Sequence, residues 1–242
     1  MLNKDLHKLK TETAFSVLAK ASELEKNGKT IINLGIGQPD FCTPKHIVEA
    51  GVKAMRDGQH GYTPSLGLIP LREAVKEDLS LRYGYCPPIS QIQITPGGKP
   101  IIFMAAMIYG GKHREILIPN PSFPIYESAV SYSGATPIFY ELDERKGFAF
   151  DAEEILSKIT KQTTLIMINT PHNPSGGITP PSEIKKLVRG LENYPNITLF
   201  SDEIYDRLVF NTSPHSLLSY PEISDRLIIL NGWSKTYAMT GW

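Results

Sequence analysis

The feature that most constrains the fold is a regular alternation of short apolar runs with helical stretches from residue 92 onward. The runs predicted as strands are Ile92–Thr95, Glu115–Ile118, Pro137–Leu142, Leu165–Asn169, Ile197–Ser201 and Leu227–Leu230. The stretches predicted as helices between them are Lys99–Tyr109, Ile125–Ser131, Ala152–Ile159 and Ser182–Leu191. Nearly continuous apolar strands that alternate with helices are typical of a parallel sheet covered on both faces. The sequence therefore predicts an α/β fold with a mostly parallel sheet sandwiched by helices.

The first ninety residues have a different pattern and form an N-terminal extension. Apolar spacing predicts helices over Thr11–Lys26, Lys45–Arg56 and Leu71–Tyr83, and Asn27-Gly28 is a normal stop for the first of them. The stretch Gly35–Asp40 is punctuated by glycine and proline, which indicates a loop. No repeat or long linker interrupts the chain.

Composition excludes several classes of partner. The 242 residues contain 25 Lys+Arg and 25 Asp+Glu, so the formal net charge is zero. The sequence has no block of basic residues, and we therefore expect no binding to nucleic acid or to an anionic membrane. Cys42 and Cys86 are too few for a disulfide framework and have no metal-binding spacing. We therefore expect no metal site. The sequence shows no signal peptide and no apolar stretch of membrane-spanning length, which predicts a soluble cytoplasmic protein.

A lysine and an aspartate follow the last two predicted strands. Lys235 comes after Leu227–Leu230, and Asp202 comes after Ile197–Ser201 with Tyr205 three residues on. In open α/β sheets, ligands bind outside the carboxyl ends of the strands. A partly desolvated lysine forms a Schiff base with an aldehyde or ketone, and an aspartate can keep a pyridinium nitrogen protonated. Taken singly, the lysine also fits a solvated surface charge and the aspartate a helix cap.

Three earlier loops open at the same predicted edge. Gly97-Gly98 before Lys99 exposes backbone N–H groups at a helix start, which suits a phosphate, although Gly-Gly taken alone is more often a plain turn. Phe123 can stack on a flat heteroaromatic ring or belong to the core. Asn173 precedes a proline and is held in a fixed loop, which a structural turn also explains. All five loops follow strands of one predicted sheet, and it is their occurrence together that favours a shared ligand site.

In this order the motifs resemble class I pyridoxal 5′-phosphate (PLP)-dependent aminotransferases of fold type I, from about Ile32 to Trp242. The similarity is greatest to the bacterial and archaeal aspartate/aromatic branch. The matching strings are Gly35-Ile36-Gly37-Gln38-Pro39-Asp40-Phe41, Gly61-Tyr62-Thr63-Pro64, Leu71-Arg72-Glu73-Ala74, Asn173-Pro174-Ser175-Gly176, Ser201-Asp202-Glu203-Ile204-Tyr205 and Ser234-Lys235.

The resemblance implies a role for each matching residue. Lys235 would hold PLP as a Schiff base and carry the proton, Asp202 would pair with the pyridine nitrogen, and Asn173 and Tyr205 would bond the ring hydroxyl oxygen. The remaining cofactor contacts would be Phe123 on the ring, Gly98, Lys99 and Ser234 at the phosphate, and Tyr62 reaching the phosphate of the neighbouring subunit of a homodimer. Gly37 and Asn173 would lie against the substrate's α-carboxylate. Lys99 is also where some aspartate-using relatives place a lysine towards the distal carboxylate.

The resemblance also implies a division of the chain and two departures from the family. Residues 1–45 would form an N-terminal arm and part of the small domain, and residues 46–242 an incomplete PLP-binding large domain. Gly232 stands where some relatives carry a phosphate-binding serine. The family continues Gly-Trp-Arg where this sequence has Gly241-Trp242, and a later family arginine clamps the substrate carboxylate. We therefore expect little or no transaminase activity from these 242 residues alone.

Four functions are compatible with the sequence. The first is an aminotransferase of amino-acid metabolism or biosynthesis, acting between an amino acid and a 2-oxo acid, with aspartate or an aromatic amino acid as the donor. The second is a β-eliminating C–S lyase of the same fold, and the third is an inactive PLP-binding fragment. A dinucleotide-binding enzyme is the weakest alternative, because the glycine-rich loop is Gly-Gly and not Gly-x-Gly-x-x-Gly.

Overall fold

The computed structural model describes residues 4–9, 13–210, 212 and 215–242. In this part of the chain a single sheet is formed by five strands, all parallel, in the spatial order β2-β1-β3-β4-β5. Their bounds are β1 Glu115–Asn120, β2 Thr136–Glu141, β3 Thr163–Asn169, β4 Thr198–Asp202 and β5 Leu227–Leu230. The prediction of a parallel α/β sheet is confirmed.

The helices agree closely with the sequence patterns. Their bounds are α1 Thr13–Lys26, α2 Lys45–Arg56, α3 Ile69–Tyr83, α4 Lys99–Tyr109, α5 Ile125–Tyr132, α6 Ala152–Ser157, α7 Pro181–Gly190 and the short α8 Trp233–Thr236. The first two residues of the predicted helix Thr11–Lys26 lie outside the described residues. Helix α3 begins two residues earlier than predicted because Pro70 is tolerated in the first turn, where its missing N–H has no helical partner.

Two hydrophobic clusters cover the two faces of the sheet. Successive residues of a strand point to opposite faces, so Leu117 belongs to one cluster while Ile116 and Ile118 belong to the other. Residues from α6 and α7 complete the first cluster, and residues from α4 and α5 complete the second. The helices therefore sandwich the sheet, as the sequence indicated.

One predicted strand is wrong. Ile92–Thr95 has no strand partner in the described part of the chain, although Ile92 has extended backbone angles of φ −106° and ψ 122°. The buried Arg72 of α3 holds this segment in place, since its Nε donates to the Ile92 carbonyl at 2.8 Å. A strand requires hydrogen bonds to a neighbouring strand, and among the described residues this segment has none.

The sheet register brings the polar strand ends to one edge. Asn169 of β3 pairs with Asp202 of β4, and Asp202 pairs with Leu230 of β5. The loops that follow these strands consequently start side by side. The N-terminal extension reaches the same edge, because Thr43 Oγ1 donates to the carbonyl of Ala238 at 2.7 Å.

Candidate active site

Lys235 lies on the short helix α8, which begins three residues after the end of β5, and its side chain is partly buried. Its Nζ donates a 2.7 Å hydrogen bond to the carbonyl of Gly37 and lies 5.8 Å from the centre of the Tyr205 ring. Burial lowers the pKa of the Lys235 amine, because the charged form loses water. A larger fraction of this amine is therefore neutral and nucleophilic than for a surface lysine.

Asp202 ends β4 and is a buried carboxyl without a cationic partner. Its Oδ2 accepts a 2.6 Å hydrogen bond from the Tyr126 hydroxyl, and its Oδ1 accepts one of 3.1 Å from the Ile204 N–H. Burial raises the pKa of Asp202 to about 6, although both hydrogen bonds act to lower it. Among the described residues, no lysine, arginine or histidine forms a salt bridge with it.

Tyr205 and Phe123 lie around Asp202. The pKa of the Tyr205 phenol is raised, first by burial and then by the negative charge of Asp202. Phe123 contacts Tyr126 edge to face, with 5.9 Å between ring centres and an angle of 88°. A chain of contacts thus runs from Phe123 through Tyr126 to Asp202, and Tyr205 is near enough to Asp202 for its phenol to feel that charge.

Asn173 is tied to this group through Asn169. The Asn173 N–H donates to Asn169 Oδ1 at 2.7 Å, and Asn169 Nδ2 donates to the Asp202 carbonyl at 2.9 Å and to the Pro171 carbonyl at 3.1 Å. Because one side-chain amide bridges both loops, the loop after β3 is fixed relative to the end of β4.

Gly98 and Ser234 line a cavity beside β5, and the lining of this cavity does not include Lys235, Asp202 or Tyr205. A Cβ at Gly98 would be only 3.2 Å from Leu230 Cδ2, so glycine allows the start of α4 to approach β5 closely. Pro100 in the first turn of α4 has no N–H and the Ile101 N–H donates to the Gly98 carbonyl at 3.0 Å, so an anion at this helix start would use the N–H groups of Gly98 and Lys99. The Nζ of Lys99 lies 5.4 Å from the centre of the Phe15 ring.

The structure does not bring Tyr62 to the other site residues, because its side chain is fully exposed. Gly37 is brought in, since its carbonyl accepts from Lys235. Sequence reasoning missed Tyr126 and Asn169, which hold Asp202 and Asn173. Two features of the sequence could have indicated them. Tyr126 comes three residues after Phe123, and Asn169 is a polar residue at the end of an apolar strand.

These residues fit PLP by the chemistry of their donors and acceptors. The buried carboxylate of Asp202 lacks a cation that a protonated pyridine nitrogen would provide. A partly neutral amine suits an aldehyde, and a helix N-terminus beside a serine suits a phosphate. The fold and the site together define a PLP-binding α/β protein.

Comparison with known proteins identifies the family. Residues 29–242 match the family described as aminotransferase class I and II, so the chain belongs to that family. The family uses PLP as its cofactor. Among the helices of the described ranges, none combines the length and apolar character that a membrane span requires.

Individual relatives are aminotransferases. The chain is 38% identical over 225 residues to the aspartate aminotransferase of Sulfurisphaera tokodaii, covering 92% of this chain and 56% of that protein. The solved aspartate aminotransferase of Thermus thermophilus with maleate has a TM-score of 0.94 at 30% identity, covering all of this chain and 63% of that one. The alanine aminotransferase of Pyrococcus furiosus has a TM-score of 0.93 at 31% identity and 62% coverage of that chain. The chain thus spans about three-fifths of the length of these relatives.

Proposed function

We propose that this chain is the cofactor-binding portion of a PLP-dependent aminotransferase that exchanges an amino group between an amino acid and a 2-oxo acid. The observation that carries the proposal is the placement of two complementary groups at one sheet edge. They are the half-buried Lys235 amine, whose pKa is lowered, and the buried Asp202 carboxyl without a cation. When bound, PLP supplies an electron sink that makes the Cα proton of an amino acid acidic.

The proposed catalytic residues are Lys235, Asp202 and Tyr205. Lys235 would hold the cofactor through Nζ, and the same Nζ would carry the proton taken from the Cα of the amino acid. Asp202 would pair with the pyridine nitrogen, and the positive charge of that nitrogen would favour the ionised form of this buried carboxyl, whose pKa is raised without it. Tyr205, whose ring centre lies 5.8 Å from Lys235 Nζ, would donate a hydrogen bond from its hydroxyl to the ring oxygen of the cofactor, as would the side-chain amide of Asn173.

The other contacts bind and orient the ligands. Phe123 covers the ring, and Gly98, Lys99 and Ser234 receive the phosphate at the start of α4 and α8. The substrate carboxylate lies against Gly37 and Asn173. We propose an acidic amino acid such as aspartate as the donor, because several relatives are named aspartate aminotransferases and Lys99 is the first residue of α4, next to Gly98.

We also propose a cytoplasmic homodimer in which Tyr62 reaches the neighbouring site. Supporting features are the full exposure of Tyr62 and the exposed apolar side chains Ile32 (87%) and Leu34 (90%). Cys42 and Cys86 are exposed free thiols, which favours a reducing compartment. Residues 1–45 are proposed as the arm and small-domain segment, and residues 46–242 as the large domain.

A single-turnover experiment tests the reaction. The PLP-loaded chain is mixed with L-aspartate, or with cystathionine in a parallel reaction, and products are identified chromatographically. We expect up to one equivalent of oxaloacetate and of pyridoxamine 5′-phosphate from aspartate, formed slowly, and none from a Lys235→Ala variant. Pyruvate and ammonia released from cystathionine without pyridoxamine 5′-phosphate would identify a lyase and contradict the proposal. We expect little steady turnover with 2-oxoglutarate from these 242 residues.

A further inference from the structure

His172 lies directly before Asn173 in the loop that follows β3, and it is buried although loops of this kind usually face water. Both nitrogens of its ring have hydrogen-bond partners. Nε2 lies 3.1 Å from the carbonyl oxygen of Pro121, and Nδ1 lies 2.7 Å from Ser175 Oγ. A buried imidazole that is bonded at both nitrogens is held in one orientation.

The partners of the ring determine which nitrogen carries the proton. Burial lowers the pKa of His172, which favours the neutral ring with a single N–H. A carbonyl oxygen only accepts, so Nε2 carries the hydrogen and donates it to Pro121. Nδ1 then accepts from the Ser175 hydroxyl. Ser175 Oγ itself accepts from the Gly177 N–H at 3.1 Å, which agrees with the use of its own hydrogen at Nδ1.

The loop around His172 is closed by backbone hydrogen bonds. The His172 N–H donates to the Gly177 carbonyl at 2.8 Å, and the Gly176 N–H donates to the His172 carbonyl at 2.8 Å. Asn173 lies inside this closed turn, and its own N–H is held by Asn169 Oδ1. The imidazole of His172 and the backbone of Asn173 therefore belong to one fixed unit.

The bond to Pro121 joins this unit to the loop after β1. Strands β1 and β3 are neighbours in the sheet, so their loops start side by side. Phe123 comes two residues after Pro121 in the first of these loops. One imidazole thus connects the loop that carries Phe123 with the loop that carries Asn173.

The spacing between these two loops matters for a flat ligand. In the proposed function Phe123 covers the face of the cofactor ring, and Asn173 donates to an oxygen on its edge. Groups that hold a ligand in a productive position must keep their places to within about 0.5 Å. A buried hydrogen bond between the loops limits their relative movement to that range, whereas two unconnected loops would move independently.

We propose that His172, protonated at Nε2, is a positioning residue that sets the distance between Phe123 and Asn173 and so determines how tightly the pyridine ring of PLP is held. The identity of the ligand rests on the proposed function. His172 acts through its two neighbours, so its loss should change the affinity for PLP and the environment of the bound ring while Lys235 remains reactive.

Two amide substitutions separate the bonds of the two ring nitrogens. The side-chain amide of His172→Gln is long enough to donate to the Pro121 carbonyl, whereas the shorter side chain of His172→Asn reaches only Ser175. We expect His172→Asn to weaken PLP binding about tenfold and to reduce the visible circular dichroism of bound PLP, and His172→Gln to stay within about threefold of the wild type. His215→Asn is the matched control, because His215 is also partly buried with a lowered pKa, and it should change neither quantity.

The cofactor-free chain gives a readout that does not depend on PLP. Nitrogen NMR of the histidine side chains should show a ring protonated at Nε2 and unprotonated at Nδ1 at pH 7, assigned to His172 by its absence from His172→Gln. The backbone amide resonance of Phe123 should move in His172→Asn and stay near its wild-type position in His172→Gln. If the wild-type chain takes up no PLP, the proposed function fails, and these spectra still decide whether His172 positions Phe123.

The proposal is overturned by a His172 proton found on Nδ1, because the bond to Pro121 would then be absent. It is also overturned if His172→Asn binds PLP as tightly as the wild type, or if the Phe123 resonance does not move in that variant. An equal loss of affinity in the Asn and Gln variants would show that the imidazole acts by packing and not through its Nε2 bond. Far-ultraviolet circular dichroism checks the folding of each variant, and the NMR measurement on the wild type needs no substitution at all.

Discussion

At the scale of single residues, the site depends on the burial of the Asp202 carboxyl group away from water. Asp202 was predicted from the sequence because it follows an apolar run, and Lys235 for the same reason. Tyr126 and Asn169 could not be predicted in the same way. Their partners lie 76 and 33 positions away and are brought close only by the strand register.

The pKa of Asp202 leads to a prediction on stability. An unfolded aspartate has a pKa of about 4, and burial raises that of Asp202 to about 6. Between these values the folded state retains a proton that the unfolded state releases. The stability that Asp202 contributes to the folded state is therefore present below pH 4 and is lost as the pH rises through 6. The free energy of unfolding falls by about 3 kcal/mol over this range. Asp202→Asn should remove this part of the slope and stabilise the cofactor-free chain at pH 7, measured by urea unfolding. Wild-type and variant curves that run parallel would contradict the assignment.

Tyr126→Phe tests the hydrogen bond to Asp202. The hydroxyl of this fully buried tyrosine stabilises the charged carboxylate, so its loss should cost about 1.5–3 kcal/mol at pH 8 and less at pH 5. Tyr140→Phe is the matched control, because Tyr140 is equally buried but donates to the neutral Met167 carbonyl at 2.8 Å. The cost of that substitution should not depend on pH. A pH-independent cost at Tyr126 would disprove the coupling.

At the scale of elements, the sequence predicted what depends on local pattern. The bounds of α2, α4 and β5 follow directly from apolar spacing and flanking turn residues, and the structure reproduces them. Ile92–Thr95 has the composition of a strand but is not one, because strand formation also requires a paired neighbour.

Arg72 joins α3 to this unpaired segment and should be sensitive to substitution. Its guanidinium donates to the carbonyls of Ile92 and Ile89, which a lysine ammonium cannot bridge in the same geometry. Arg72→Lys should lower the free energy of unfolding by about 2 kcal/mol, measured in urea. Arg56→Lys, on the exposed surface of α2, should have no effect. Equal effects of the two substitutions would contradict the role of Arg72.

At the scale of the whole molecule, an ionic network connects α3 with the loop after β4 and with α8. Arg82 pairs with the buried Asp206 at 2.6 Å, while Arg207 bonds both Asp78 and the Tyr237 hydroxyl. Sequence spacing could not reveal these pairs, since more than 120 residues separate Arg82 from Asp206. Through the bond of Arg207 to Tyr237, the network reaches the residue that directly follows α8, the helix that carries Lys235.

Removing one partner of the buried pair should be costly. Arg82→Met leaves the Asp206 carboxylate buried with Tyr83 as its remaining side-chain donor, so we expect a loss of about 3 kcal/mol in unfolding free energy. The double variant Arg82→Met with Asp206→Leu should recover much of that loss, because no charge is left buried. If the double variant is less stable than the single one, the ion pair itself is stabilising and the expectation is wrong.

The central claim is that Lys235 is the residue that reacts with PLP. The direct measurement is borohydride reduction of the chain after incubation with one equivalent of PLP, followed by peptide mass mapping. We predict one pyridoxyl group, located on Lys235, absent from Lys235→Ala and strongly reduced in Asp202→Ala. Label distributed over exposed lysines such as Lys161, with Lys235 unmodified, would contradict the account.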